Sequence, residues 1–470
     1  MSNRLVIQER HAQHLKEFLL PESGHERAAY LLCSQVEIES DPWTGLSARR
    51  FISHRVVPIG ESEVISSSTH HITWLTQSVV NTLKQAQTEG LTVVLVHSHP
   101  GGLLAFSEQD DLNESDLIQL AQNRNGQTTS ILSVVVTPDW QWIGRVWVSP
   151  TESHPIDLIQ IVGDRLQLYY SGRGLGQPLE HLNRQALAFG SVFNQDLAQL
   201  RVGIVGLGGT GSALCALAAR LGIRNFALFD RDIVEESNLN RLHGATMDDA
   251  RNARPKVDVA ARNLRDLGFG IEARTYQQWI NDSSCRDALR SCDVVFGCTD
   301  DHAGRAILNR FAYYYATPVI DLGLAIEVSQ AEVPEMQALD GRVTVLQPGN
   351  PCLMCCGIIN PQLAAEQMLK YQNPAEYERR KAEAYVLGEG NPSPSVVLFT
   401  TDVASMALQE LVHRLQGFRG KDGTVSQQVR KFKLREDRRQ GMQPKPHCQV
   451  CGSADRWGIG DVEPFLDLVG

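Results

Sequence analysis

In the stretch VHSHPGGLLAFSEQDD (residues 96–111), two histidines stand one residue apart and an aspartate follows eleven residues after the second. Alternation at a strand end points His97 and His99 the same way. With Asp110 they offer two imidazoles and one carboxylate to a zinc ion, leaving the fourth tetrahedral position to water. That is the layout of a catalytic zinc rather than a structural one. Zinc brings the pKa of such a water towards neutrality, which serves hydrolysis. Hydrolysis also needs a proton carrier and a donor to the developing oxyanion. Ser107, three residues before Asp110, is the candidate donor, and a glutamate from elsewhere in the chain is the candidate base. A lone H-x-H beside a loop is usually a pair of surface histidines; the length of the whole string makes it specific. The neighbouring pair His70–His71 has no third ligand nearby and reads as ordinary.

A second stretch, RVGIVGLGGTGSALCALAARLGIRNFALFDRD (201–232), points to a nucleotide. Gly206, Gly208 and Gly211 form G-x-G-x-x-G between a strand-like and a helical segment. Glycines there permit a tight turn and close approach of backbone to phosphate at a helix N-terminus. Asp230 ends the next strand, where a carboxylate can bond a ribose hydroxyl. To this point NAD and ATP are equally served. Two C-x-x-C pairs, Cys352/Cys355 and Cys448/Cys451, supply four thiolates with no open position, which fits a structural zinc.

The elements that must hold these residues follow from periodicity. Residues 27–33, 92–96, 131–136 and 140–148 read as strands and 72–89 as a helix, giving a mixed α/β block that ends near 160. Residues 171–180 carry the glycines and proline of a joint. From 201 onwards strand and helix patterns alternate, with strands at 293–300 and 317–324, so a doubly wound parallel sheet is expected. Residues 369–395 are polar and read as a surface excursion, followed by a helix over 400–415. The expected fold class is α/β throughout: a mixed-sheet domain over 1–160, a linker and helix over 161–200, and a Rossmann-like domain with a structural zinc over 201–470. At 470 residues two or three domains are the norm. A composition of 42% hydrophobic and 21% charged residues is that of a soluble globular protein. The net charge of −10 argues against a general nucleic-acid or anionic-membrane binder. No apolar run approaches the roughly 20 residues of a membrane span. The N-terminal residues show no signal-peptide pattern, and cysteines in C-x-x-C pairs suit a reducing cytoplasm.

The string H-S-H-P, six residues, S, two residues, D resembles the JAB/JAMM (MPN+) metalloprotease family, whose members remove ubiquitin-like proteins or trim their C-termini. The resemblance implies a glutamate before the first core strand as the base. Glu26 fits it, with Glu22 as the fallback. The strings GLGGTGS (adding Gly209 and Ser212), FDRDIVEESNLNRLH, RPK and CTDD resemble the E1-like ThiF/MoeB/HesA adenylyltransferases, which adenylate the C-terminal glycine of ubiquitin-like proteins. That resemblance implies Asn238, Arg241 and Lys256 at the phosphates, Asp300 for Mg²⁺, and Asp232 near ribose and phosphates. It also implies that Arg184, in HLNRQALAFG, reaches the ATP of a second subunit in a homodimer. The cysteine quartet stands where the superfamily has its own. One departure concerns acyl transfer: residues 357–447 contain no cysteine. The enzyme then stops at the adenylate, uses Cys356, or uses a hydroxyl such as Ser393, Ser395 or Thr400. Cys215 and Cys298 read as core residues, and Cys33, Cys285 and Cys292 belong to no motif.

Together these readings give a bifunctional enzyme with catalytic and structural Zn²⁺, ATP and Mg²⁺. It would cleave after, and adenylate, the C-terminal glycine of a ubiquitin-like protein, with an E2-like protein as a further partner. An alternative is trimming and activating a sulfur-carrier protein for thiocarboxylate formation, with a sulfurtransferase as partner. Another is a protease carrying a non-catalytic or NAD-binding module. The fusion resembles bacterial ubiquitin-like operon proteins, some associated with phage defence.

Overall fold

The computed structural model describes the chain apart from residues 22, 23, 173–179, 330, 334, 383–393, 463, 464 and 467–470. It divides into two compact units. One comprises Met1–Ser40, Gly45–Gly176 and Trp457–Asp461, the other Asp41–Thr44, Gln177–Arg456 and Val462–Gly470.

The first unit contains β1 (Ser2–Gln8), α1 (Glu9–Leu19), β2 (Ala28–Ile38), β3 (Ala48–Pro58), β4 (Val64–Ser67), β5 (Ile72–Trp74), α2 (Thr76–Glu89), β6 (Thr92–Ser98), α3 (Glu108–Asn125), β7 (Ile131–Val136), β8 (Trp142–Ser149), β9 (Glu152–Pro155), β10 (Leu158–Val162) and β11 (Gln167–Tyr170). Nine strands form one mixed sheet in the order β11-β10-β1-β3-β2-β6-β7-β8-β9. The continuous apolar run of β2 follows from burial on both faces. Ala29, Leu31 and Cys33 share a core with Ala12, Leu15 and Leu19 of α1. Ala28, Tyr30 and Leu32 share another with Val79 and Leu83 of α2 and Ile118 and Ala121 of α3. Along β6 the same alternation sends Val94 and Val96 to the first core and Val93 and Leu95 to the second. His97, next in that register, therefore emerges on the α3 side. The helix expected over 72–89 begins only at Thr76. The β-prone residues Ile72–Trp74 pair instead with β4, and the Trp74 indole donates to Tyr30 Oη at 2.8 Å. Residues 457–461 complete this unit: Ser34 Oγ donates to the Gly458 carbonyl at 2.6 Å, and Arg10 lies 4.9 Å over the Trp457 ring.

The second unit contains α4 (Asn183–Phe189), α5 (Ser191–Gln199), β12 (Arg201–Val205), α6 (Gly209–Leu221), β13 (Asn225–Phe229), α7 (Met247–Arg251), α8 (Lys256–Asp266), β14 (Glu272–Tyr276), α9 (Ser283–Arg290), β15 (Val294–Gly297), α10 (His302–Tyr314), β16 (Val319–Val328), β17 (Met336–Leu346), α11 (Pro361–Gln372), α12 (Pro374–Ala382), α13 (Val397–Gln416), β18 (Gln427–Lys431) and β19 (Glu436–Gln440). The sheet order is β14-β13-β12-β15-β16-β17-β18-β19. The first five strands are parallel and the rest antiparallel. The order reverses at β12, and the crevice at the carboxyl ends of β12 and β15 is where such sheets bind ligands. The excursion expected over 369–395 holds the end of α11 and, after Asn373, the helix α12 as far as Ala382: Asn360 caps α11 with a proline at its first position, and Asn373 Oδ1 accepts from the Glu376 N–H at 3.1 Å ahead of Pro374 in α12. Among the described residues no helix is long and apolar enough to cross a membrane.

Candidate active sites

At the end of β6, His97 Nε2 and His99 Nε2 lie 3.1 Å apart, and Asp110 Oδ1 and Oδ2 lie 3.3 and 3.5 Å from them respectively. All three ligand atoms fall within 4.8 Å of one another. Local structure holds each ligand. Ser107 is the N-cap of α3, its Oγ accepting from Asp110 N–H at 3.1 Å. In return Asp110 Oδ2 accepts from Ser107 N–H and from its Oγ–H, both at 2.7 Å. His99 Nδ1 lies 3.0 Å from the Leu103 carbonyl; when it donates there, Nε2 is left as the ligand nitrogen. Burial would raise the Asp110 pKa, but its bonds with His97, His99 and the Ser107 N–H hold it well below the carboxylate range. Two nitrogens and a carboxylate oxygen, converging in this way, fit a zinc ion.

Glu26 is 6% exposed and sits two residues before Ala28, the ladder partner of His97. Burial raises its pKa, while the adjacent His97 and His99 pull it back down. Strand pairing thus brings Glu26 beside the trio. Glu22 lies outside the described residues. The Ser107 hydroxyl proton points to Asp110, so its expected donation to an oxyanion competes with the cap.

The second centre is a cavity of about 390 Å³ at the carboxyl ends of the parallel strands. Gly206, Gly208, Gly209, Asp230, Asp232, Arg241, Lys256 and Asp300 all line it. Two glycines are set by close approach. Gly206 has φ +90°, and a Cβ there would meet the Cys298 backbone at 2.9 Å. A Cβ on Gly211 would sit 1.9 Å from the Gly206 carbonyl oxygen. Around Gly208 the space is open within 4 Å. Asp230 accepts from the N–H groups of Leu207 (2.6 Å) and Asp232 (2.8 Å), tying the glycine loop to the end of β13. Lys256 Nζ pairs with Asp232 Oδ2 at 2.8 Å, and Arg241 Nη1 donates to the Ser237 carbonyl at 2.7 Å.

Three expected residues are not among those lining this cavity: Gly211, which packs against the Gly206 carbonyl instead, Asn238 and Arg184. The Asn238 side chain turns to Ser237 and the Glu235 N–H. Arg184 sits on α4; the residue before that helix, Leu182, packs against Gly222 at the far end of α6. Residues not anticipated from sequence also line the cavity: Arg231, Trp279, Arg305 and Tyr371. Trp279 and Tyr371 rings lie 4.5 Å apart, and Arg231 lies 4.2 Å over Tyr371. Trp279 follows the carboxyl end of β14, a signal that the βαβ register could have supplied.

Cys352 Sγ lies 3.5 Å from Cys448 Sγ, and Cys355 Sγ 3.4 Å from Cys451 Sγ, within a four-sulfur cluster. Four converging thiols suit a closed tetrahedral zinc. Of the acyl-acceptor alternatives, Ser395 and Thr400 line the cavity beside α6. Cys356 is half-buried next to the quartet, and Ser393 lies outside the described residues. Cys215 is buried, its thiol pushed up to about 12 by desolvation; Cys298 is buried at the cavity wall and is also pushed up.

Comparison with known proteins identifies both halves. Residues 182–452 match the ThiF family and residues 8–150 match the prokaryotic homologs of the JAB domain. The chain belongs to the ThiF family and joins its adenylyltransferase-type domain to an N-terminal JAB domain. It is 32% identical over 185 residues to a molybdopterin-synthase adenylyltransferase of Escherichia coli, covering 38% of this chain and 68% of that protein. It is 35% identical over 126 residues to the sulfur carrier protein ThiS adenylyltransferase of the same organism, covering 27% and 49%. Beyond the first of these relatives, the chain spans about half or less of the length of the adenylyltransferases it next matches. Among solved structures it is similar to E. coli MccB, with 18% identity, a TM-score of 0.44, and coverage of 59% of this chain and 75% of that one.

Proposed function

We propose that this chain acts on the C-terminal glycine of a ubiquitin-like protein, cleaving after it at the His97–His99–Asp110 centre and adenylating it in the cavity beside α6. The observation that carries the reading is the cavity itself. Its glycine loop, Arg241, Lys256 and Asp300 meet at the carboxyl ends of the parallel strands. In adenylation a carboxylate oxygen attacks the α-phosphorus of ATP and the bond to pyrophosphate breaks. Both reactants are anionic, so Arg241 and Lys256 offset the charge while the first N–H groups of α6 face the phosphates. Asp300 offers a hard oxygen ligand of the kind Mg²⁺ takes.

At the other centre, His97, His99 and Asp110 would hold a zinc ion that, when bound, supplies Lewis acidity to water and carbonyl. Glu26 takes the proton of the attacking water and returns it to the leaving amine. Arg184, which does not line its own cavity, completes that of a second copy in a homodimer.

A second reading has the substrate as a sulfur-carrier protein, and the names of the relatives favour it: one is a sulfur-carrier adenylyltransferase. The deciding experiment is ATP–pyrophosphate exchange with radiolabelled pyrophosphate, with and without candidate carrier proteins. Exchange that requires a C-terminal glycine supports adenylation, and the carrier that sustains it separates the two readings. Verified ATP binding without exchange would leave a regulatory nucleotide module on a protease.

A further inference from the structure

Beneath the metal centre lies a charged cluster that neither motif includes. Glu114 is one helical turn after Asp110 on α3 and 4% exposed. Three donors from the sheet converge on its carboxylate. The Ser133 hydroxyl on β7 donates to Oε1; Arg145 Nε (2.7 Å) and Trp147 Nε1 (2.6 Å), both on β8, donate to Oε2. Arg145 does more than neutralise Glu114. Its Nη1 pairs with Asp111 at 2.5 Å, and its guanidinium lies 3.8 Å over the Phe106 ring. Phe106 immediately precedes Ser107, and Asp111 immediately follows Asp110. One planar side chain on the sheet therefore grips both flanks of the Ser107–Asp110 cap and the next turn of the helix.

We infer that Arg145 is a positioning residue for the metal centre, clamping the first turn of α3 so that Asp110 meets the two histidines carried by the end of β6. The inference rests on reading His97, His99 and Asp110 as a metal site. The guanidinium plane suits the role: it stacks on Phe106 while its fork serves two carboxylates, which a lysine cannot do together. Outer groups that orient a metal ligand typically change affinity by about 10–100-fold when removed.

The test is zinc affinity on the full chain, by competition with a chromophoric chelator, with the four-cysteine zinc as an internal control. Arg145→Met alone strands a buried Glu114 charge and could unfold the unit. The informative variant is Arg145→Met combined with Glu114→Gln, which removes both charges; thermal melting checks its fold. The expected result is two zincs in the wild type and a folded double variant that holds the quartet zinc normally. Its other zinc should bind roughly 10–100-fold more weakly. Arg145→Lys should fall between. A folded double variant with wild-type affinity at both sites overturns the clamp and leaves the metal reading standing. A wild type that binds only the quartet zinc overturns the metal reading, and the clamp with it.

Discussion

The two centres are assembled differently. In the JAB-type unit all three candidate ligands come from one short stretch, a strand end and the first turn of the next helix, and hydrogen bonds within the protein already aim them at one point. In the ThiF-type unit the polar groups come from four separate βα connections, and several are committed to partners in the chain. Lys256 is paired with Asp232, and Arg241 with the Ser237 carbonyl. A preorganised trio gives up little on binding its ligand. On the proposed function, a nucleotide must win Lys256 and Arg241 from their present partners. Affinity at the first centre thus reports geometry; affinity at the second reports a difference between two sets of polar contacts.

The largest expected effects separate the centres. Glu26→Gln should lower hydrolysis by about 10²–10⁴-fold while ATP–pyrophosphate exchange continues. Asp300→Ala should do the reverse, bringing exchange to background with peptide cleavage intact. If either variant silences both assays, the centres are not independent. A step smaller is chelation. Dialysis against a moderate chelator should remove one of two zincs and hydrolysis with it, sparing exchange and the quartet; metal analysis by mass spectrometry counts the ions. Loss of both zincs together would erase the distinction between an open site and a closed one.

Two glycines in the same loop sharpen the contrast within the nucleotide centre. Gly211→Ala places a Cβ against the Gly206 carbonyl oxygen and should destabilise the unit by about 1–3 kcal/mol, visible as a lower melting temperature. Gly208→Ala meets no protein atom within 4 Å. It should melt normally and weaken ATP binding, because the added methyl occupies space open to the phosphates. Normal ATP affinity in Gly208→Ala would place the phosphates elsewhere.

What could be read in the sequence follows from how each residue is brought into place. His97, His99, Ser107 and Asp110 are local, so spacing alone set out the trio and its cap. The glycine loop is likewise one turn between a strand and a helix. Glu26 reaches the trio only through the β2–β6 ladder, and periodicity left its identity open until the family resemblance supplied it. Glu114 and Arg145 were not legible, because two neighbouring strands and one helix face must be known before a buried carboxylate can be matched to its donors. Trp279, just after β14, meets Tyr371 of α11; the two are distant in sequence and joined only by topology. The strand at Ile72–Trp74 was hidden for the opposite reason: helical spacing of apolar residues ran on through it, and the tertiary contact of Trp74 with Tyr30 overrode the pattern.

The last expected effect concerns acid stability. His11 in α1 is buried with Nδ1 2.8 Å from Ser53 Oγ, a hydroxyl that already accepts from the Gln8 N–H and so has its proton free for the imidazole. Burial first, then the charges of Arg10, His54 and His14, lower the His11 pKa from 6.5 to about 3. The folded JAB-type unit therefore resists a proton that the unfolded chain accepts. Its contribution is complete above pH 6.5 and fades as the pH falls towards 3, with a slope of up to about 1.4 kcal/mol per pH unit. His11→Gln should flatten that part of the stability curve, measured by urea unfolding followed at several pH values. The ThiF-type unit, which does not contain His11, should keep its own pH profile in the variant. A wild-type curve already flat between pH 6.5 and 3 would mean that the imidazole is protonated in the folded state and that the Ser53 contact runs the other way, with His11 donating.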